Sequence, residues 1–190
     1  ITKIFPQKKF KMKKFFKIIS VGRLTKQKNY KSIIDAIQLI KKRNFKYFIY
    51  GNGNLQSNLK NYIFSKNLNK KIKIMSHEKD KNKIYKQSDL LVHASLFEGL
   101  PNCIVEAFNY GVPVIAYDGA GGISEILGKG KYGQLIKKNN KYEISKNINN
   151  FLQNPRTLQN KVKRSKFLLK KFIGKETTKN LEREIFNIFK

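Results

Sequence analysis

A chain of 190 residues has room for one domain, or for one domain and a tail, and at 40% hydrophobic residues it is too apolar to be disordered. Lys and Arg number 41 against 12 Asp and Glu, and this +29 balance points to an anionic partner such as nucleic acid, an anionic membrane face or phosphate groups; Lys, Asn, Ile, Phe and Tyr are all abundant, however, as AT-rich coding produces in any protein. The single cysteine, Cys103, excludes a disulfide within the chain and fits a reducing compartment, and no apolar run approaches the roughly 20 residues that span a bilayer.

The opening ITKIFPQKKFKMKKFF is basic but has neither the apolar core nor the cleavage site of a signal peptide, and it starts at Ile1, so the chain reads as a piece of a longer protein. Residues 1–16 are expected to be a basic segment or linker and 17–190 the folded domain. FFKIISVG (15–22) is an apolar run ending in Gly, which predicts a strand. NYKSIIDAIQLIKK (29–42) places positions 30, 33, 34, 37 and 40 on one helical face. KYFIYG (46–51) predicts a second strand, Leu55, Leu59, Tyr62 and Ile63 a second helical stripe, and KIKIM (71–75) a third strand. A short helix near Lys81–Lys86 precedes the strand DLLVHA (89–94). Pro101 is expected to open a helix at its first position, where a missing N–H costs nothing. VPVIAY (112–117) predicts a buried strand, Glu125–Leu127 a short helix and YGQLI (132–136) the last strand. From about Tyr142 the pattern is helical to the end, where Leu181, Ile185, Ile188 and Phe189 make the final stripe. Such alternation predicts an α/β fold, a Rossmann-like doubly wound parallel sheet covered on both faces, with ligands at the carboxyl ends of the strands.

The loops at those strand ends then form one rim. It carries GRLTKQKN with Gly22, Arg23 and Lys28; GNGNL with Gly51 and Gly53; ASLFEGLPN with Ser95 and Glu98; and DGAGGISE. Arg23 and Lys28 suit a diphosphate, the first as a bidentate fork and the second as a point charge, and the helix after Pro101 adds a positive dipole end. GNG is a poor dinucleotide fingerprint, because it lacks the third Gly and follows the second strand; a tight turn or helix entry fits it better. Glu98 and Glu106 are separated by seven residues, and Glu106 stands only about 8 Å up the helix from Pro101. Two carboxylates so placed can serve the two ends of one hydroxyl-rich ligand. His77 and His93 have no partners at metal spacing, and His93 on its apolar strand reads as a core or rim residue.

GRLTKQKN, GNGNL, SLFEGLPNCIVEAFNYGVPVIA and GGISE, taken together over nearly the whole chain from Lys17, resemble the donor-binding, C-terminal half of GT-B glycosyltransferases, most closely the retaining family 4. The resemblance implies that Arg23 and Lys28 bind the diphosphate of a nucleotide sugar such as a UDP- or GDP-sugar, and that Glu98 holds donor-sugar hydroxyls, these three being the catalytic set. It implies that Glu106 holds the ribose, that the amides of Gly99, Leu100, Pro101 and Asn102 approach the sugar and β-phosphate, and that Lys73, Ile74 and Met75 frame the base, with Gly22, Gly51 and Ser95 as further substrate-binding positions. It also implies no metal or other cofactor, a glycan or lipid-linked acceptor, an N-terminal domain as partner and final helices that cross back to that domain; the lysine excess and the apolar–basic N-terminal segment add the expectation of a cytoplasmic location with peripheral contact at the anionic inner membrane face. Phe108-Asn109-Tyr110 departs from the small residues usual in that family, and His77 stands where Gly is common. Two other classes compete: a module binding nucleic acid or another polyanion, suggested by the lysine–aromatic alternation of KKFKMKKFF, and a GT-B-shaped nucleotide-sugar epimerase, which would require further acids and histidines.

Overall fold

The computed structural model describes residues 14–41, 44–119, 122–165 and 169. β1 (Phe16–Val21) leads through a 3-10 turn at Lys26–Lys28 into α1 (Tyr30–Gln38). Then β2 (Phe45–Tyr50), α2 (Gln56–Ser65), β3 (Ile72–Met75), α3 (Lys81–Tyr85), β4 (Leu90–His93), α4 (Asn102–Asn109), β5 (Val114–Tyr117), α5 (Ile123–Ile126) and β6 (Gln134–Ile136) alternate, followed by α6 (Lys141–Gln153) and α7 (Arg156–Arg164). The strands pair in the order β3-β2-β1-β4-β5-β6, every pair parallel, which is the expected doubly wound Rossmann-like sheet. The basic segment before residue 14, Gly121 and the terminal stripe fall outside the described residues.

Strand side chains alternate between two cores, as a period of two requires. Ile18, Tyr47, Ile49, Leu90, Val92, Ile115 and Tyr117 face one layer, where α1, α2 and α6 pack. Ile19, Tyr50, Leu91, Val114 and Ala116 face the other, where α3, α4 and α5 pack. Burial on both faces explains why these strands read as unbroken apolar runs. Phe16, placed in the linker by the expected boundary, is buried in β1 and packs edge-on against Phe151 at 5.6 Å. Phe108, Asn109 and Tyr110 are all buried, and Tyr110 stacks on Tyr85 at 5.5 Å, which accommodates the bulky residues at the end of α4.

Several boundaries differ from expectation. Asn29 adopts the left-handed conformation (φ 50°), so α1 starts only at Tyr30, and it ends at Gln38. Pro101 is extended (φ −75°, ψ 92°) and caps α4 from outside instead of occupying its first turn. The last strand begins at Gln134, two residues later than the apolar pattern. The helix predicted to continue from Tyr142 breaks at Asn154, and Pro155, which has no N–H to continue it, caps α7.

The GNG turn has a packing role. Gly51 sits at φ 154°, and a Cβ there would lie 2.0 Å from the Gly22 carbonyl oxygen; at Gly53 it would lie 2.5 Å from that of Leu24. The Leu24 N–H donates to Asn52 O at 2.9 Å, and the Leu55 N–H to Leu24 O at 3.0 Å. The loops after β1 and β2 therefore touch backbone to backbone, and only glycine allows it. Gly51→Ala is expected to cost about 2–4 kcal/mol of stability through overpacking and backbone strain. Gly99→Ala, where a Cβ meets nothing within 4 Å, is expected to stay within about 0.5 kcal/mol. Urea denaturation of the two variants checks the contrast, and equal stabilities would contradict it.

Candidate functional site

The sheet reverses direction of growth between β1 and β4, the place where such a sheet leaves a crevice at its carboxyl edge. A cleft of about 500 Å³ lies there, lined by Gly22, Arg23, Lys28, Gly51, Glu98, Leu100, Pro101, Asn102 and Glu106 from the sequence-derived set. Tyr50, Asn52, His77, Lys81 and Cys103 complete much of the wall and were not selected from sequence. Lys73, Ile74 and Met75, expected to frame the base, do not line it. β3 ends at Met75, whose carbonyl accepts from the Gly51 N–H at 3.2 Å, and Ile74 instead borders a separate cleft beside α2. The chain past the strand end reaches the crevice in their place: the His77 N–H donates to Asn52 Oδ1 at 3.3 Å.

Glu98 is held from several directions. Lys28 Nζ pairs with its Oε1, Ser95 Oγ donates to the same oxygen at 2.7 Å, and His93 Nε2 stands 3.6 Å from it. Backbone geometry brings Lys28 there: the 3-10 turn ends at Lys28, and Asn29 in left-handed conformation turns the chain into α1. The Leu96 N–H donates to Gln27 O at 2.9 Å, and Gln27 Nε2 donates to Phe97 O at 2.8 Å, so the loops after β1 and β4 are stitched together. Burial raises the Glu98 carboxyl's affinity for its proton, but the hydrogen bonds from Lys28 and Ser95 outweigh it, and the pKa falls below the ordinary value. Glu98 is therefore a carboxylate at neutral pH.

Glu106, the fifth residue of α4, has its own partners. The Tyr85 hydroxyl donates to Oε2 at 2.7 Å, and Lys81 Nζ lies 3.3 Å from Oε1. Burial, reinforced by Cys103 and Glu106, pushes the Tyr85 pKa well above its ordinary value, so that hydroxyl remains a donor. Gly99 O accepts from the Gly122 N–H at 2.9 Å, which ties the loop before α4 to the start of α5. The expectation of a core or rim position for His93 holds: the residue is buried, with Nδ1 3.5 Å from Cys103 Sγ, yet Nε2 is buried without a hydrogen-bond partner. Burial, and then the charge of Lys28, push its pKa down to about 4 against the opposing pull of Glu98, so the ring is neutral. Among the described residues no three His, Cys, Asp or Glu side chains form a metal-binding group, and no helix is long and apolar enough to cross a membrane.

What this set can do chemically is bind an anion and a polyol side by side. Arg23 and Lys28 present cations at one wall, and two carboxylates accept hydrogen bonds from hydroxyls. A family model described as glycosyl transferases group 1 matches residues 2–167. An uncharacterised glycosyltransferase of Methanocaldococcus jannaschii is 33% identical over 149 residues, covering 70% of this chain and 37% of that protein. The N-acetylgalactosamine-N,N'-diacetylbacillosaminyl-diphospho-undecaprenol 4-alpha-N-acetylgalactosaminyltransferase of Campylobacter jejuni is 29% identical over 168 residues, 86% of this chain and 46% of that one. Among solved structures, Anabaena HepE in complex with UDP-glucose matches with a TM-score of 0.79 at 21% identity, over 89% of this chain and 49% of that chain. S. aureus TarM matches with a TM-score of 0.82 at 24% identity, over 99% and 37%. The two solved structures share the fold, and this chain spans less than half the length of each of these four proteins.

The buried neutral histidine sets a pH dependence. The unfolded chain takes up its proton near the ordinary histidine value of 6.5, the folded chain only near pH 4. Stability is therefore lost as pH falls through that window, by on the order of 2–3 kcal/mol, and the loss levels off below it. Glu98 adds to the loss at the acid end, because its depressed pKa contributes stability that disappears as pH falls through the folded value. Denaturation midpoints recorded from pH 7 to pH 4.5 are expected to fall for the wild type and to stay nearly flat for His93→Gln. Parallel curves would show that His93 takes up its proton equally in both states.

Proposed function

The chain belongs to the group 1 glycosyl transferases, and from that premise we propose that it is the donor-binding, C-terminal half of a two-domain GT-B enzyme of family 4, transferring a sugar with retention from a nucleoside diphosphate sugar to a glycan or lipid-linked acceptor. The observation that carries this reading is the convergence of Arg23, Lys28, Glu98 and Glu106 on one crevice where the order of the sheet reverses.

In this reading the diphosphate lies against Arg23 and Lys28, with the positive end of α4 adding to the field. As the bond from the sugar to the phosphate oxygen breaks, negative charge grows on the leaving phosphate, and these preorganised cations stabilise it without a metal. Glu98 accepts from donor-sugar hydroxyls and Glu106 from the ribose. The acceptor enters on the face from which the phosphate leaves, so no general base from this half is called for. Tyr50, Asn52 and His77, at the β2 and β3 strand ends, take the place of Lys73–Met75 as neighbours of the base. The diphospho-undecaprenol in the name of the Campylobacter jejuni relative supports a lipid-linked acceptor, and the +29 balance supports peripheral contact with an anionic inner membrane face. The same two carboxylates weigh against the reading as a polyanion-binding module, since they repel a chain of phosphates lying in the crevice.

Calorimetry of the intact protein with UDP and GDP at moderate salt tests the site: one nucleotide is expected to bind more tightly than the other, and equal, wholly salt-screened binding of both overturns it. Glu98→Ala is expected to weaken the sugar nucleotide without weakening the bare nucleotide, whereas Glu106→Ala weakens both. Each lost charge-assisted hydrogen bond corresponds to about ten- to a hundredfold in affinity. Glu106→Ala is expected to melt near the wild-type temperature and Glu98→Ala below it, because it strips Lys28 of its partner; with both folded at the temperature of measurement, wild-type binding by both would make the pair structural.

A further inference from the structure

Two donors and one buried ring nitrogen converge on a single oxygen of Glu98. Lys28, Ser95 and His93 all address Oε1, and none of these contacts uses Oε2. The pair Lys28–Glu98 joins the two groups that the proposed function assigns to different parts of the donor. A diphosphate in the crevice competes with Glu98 for the Lys28 ammonium, and as Lys28 turns to the phosphate the carboxylate, largely buried with its side chain 11% exposed, loses its cation. A buried charge left without a partner is strongly disfavoured. His93 stands where a replacement is needed: it is buried, its Nε2 has no hydrogen-bond partner, and that atom is already 3.6 Å from the oxygen Lys28 would leave.

We propose that His93 is a positioning residue for Glu98: when a diphosphate takes Lys28, the imidazole Nε2–H closes on Glu98 Oε1 and, with Ser95, keeps the carboxylate ionised with Oε2 turned to the ligand. The inference rests on reading the crevice as a sugar-nucleotide site. The tautomer follows from the other side of the ring. Cys103 Sγ is 3.5 Å from Nδ1, and burial holds this thiol protonated, its pKa pushed up to about 12. The protonated thiol can donate its S–H to Nδ1, and the proposal takes that tautomer, with the ring proton on Nε2. A neutral N–H suits the task better than a second cation would. It satisfies Oε1 without neutralising the carboxylate, whose full charge stays available to a hydroxyl at Oε2. Glutamine can place an amide N–H near the position of Nε2, whereas phenylalanine keeps the ring shape and loses the donor.

Inorganic pyrophosphate binding to the intact protein, followed by calorimetry, tests this without knowledge of the sugar or the base. His93→Phe is expected to weaken pyrophosphate about tenfold, the loss of one hydrogen bond to a charged group, and His93→Gln to stay within about threefold of wild type. Glu98→Gln, which frees Lys28, is expected to bind pyrophosphate at least as tightly as wild type, and adding His93→Phe to it should then cost nothing further. Wild-type affinity in His93→Phe, or the same loss in the Glu98→Gln background, overturns the role of His93 while leaving the site reading intact. Failure of the wild type itself to bind pyrophosphate overturns the diphosphate site, and this inference with it.

Discussion

The Lys28–Glu98 ion pair bridges the point where the sheet order reverses. Lys28 belongs to the loop after β1, Glu98 to the loop after β4, and between those strands the crevice opens. The backbone bond from Leu96 to Gln27 and the side-chain bond from Gln27 to Phe97 hold the same two loops at a fixed separation. On the other flank, the glycine contacts between the loops after β1 and β2 set how near Arg23 comes to Asn52 and Tyr50. The walls of the site are thus positioned mainly by backbone, and side chains converge because the loops that carry them cannot separate.

A chain with 41 basic residues places two of its 12 acids in one cleft, and each acid has a lysine partner there, Lys28 for Glu98 and Lys81 for Glu106. The surroundings of the two carboxylates differ in kind. Glu98 takes a serine hydroxyl and faces a neutral histidine in a largely buried setting; Glu106 takes a tyrosine hydroxyl and a more exposed lysine. An exposed pair contributes little by itself, whereas a buried one is costly to break unless the charge is handed to new partners. That contrast supports separate tasks for the two acids: one whose partner must be exchanged when a phosphate arrives, and one whose partner can remain.

The surface charge and the site charge obey different rules. The net +29 creates a long-range field that draws anions in and weakens with salt. In the proposed reading, selection among anions falls to the crevice, where two carboxylates disfavour extended polyphosphates and favour ligands with hydroxyl groups beside a short phosphate unit. The chain belongs to the group 1 glycosyl transferases and spans less than half the length of the relatives it matches.

Much of the fold was legible because burial on both faces of a parallel sheet writes each strand as an apolar run, and each covering helix as a stripe at helical spacing. Arg23, Lys28, Glu98 and Glu106 were legible for a related reason: strand–helix alternation alone sends the strand-end loops to one edge, whatever the details. Local conformation was less so. Asn29 and Pro101 shifted helix starts by turning the backbone away from helical angles, and Pro155 divided a helix whose apolar pattern ran on without interruption. Tyr50, Asn52, His77 and Lys81 line the crevice without having been selected as site residues, and Lys73, Ile74 and Met75 do not line it, because which way a strand end faces depends on pairing and twist. The position of His93 in the core was read correctly. That its free nitrogen faces Glu98 was decided by tertiary structure, which packs β4 against α4 and so places Cys103 on one side of the ring and Glu98 on the other. The sequence by itself determined which elements form and which loops meet at one edge, since both follow from local periodicity. Only the tertiary structure decided which lysine neutralises which acid and which nitrogen faces it, since those depend on how loops and helices pack, as with Lys28 and Glu98, which meet although 70 apart in the chain, and no local pattern records that.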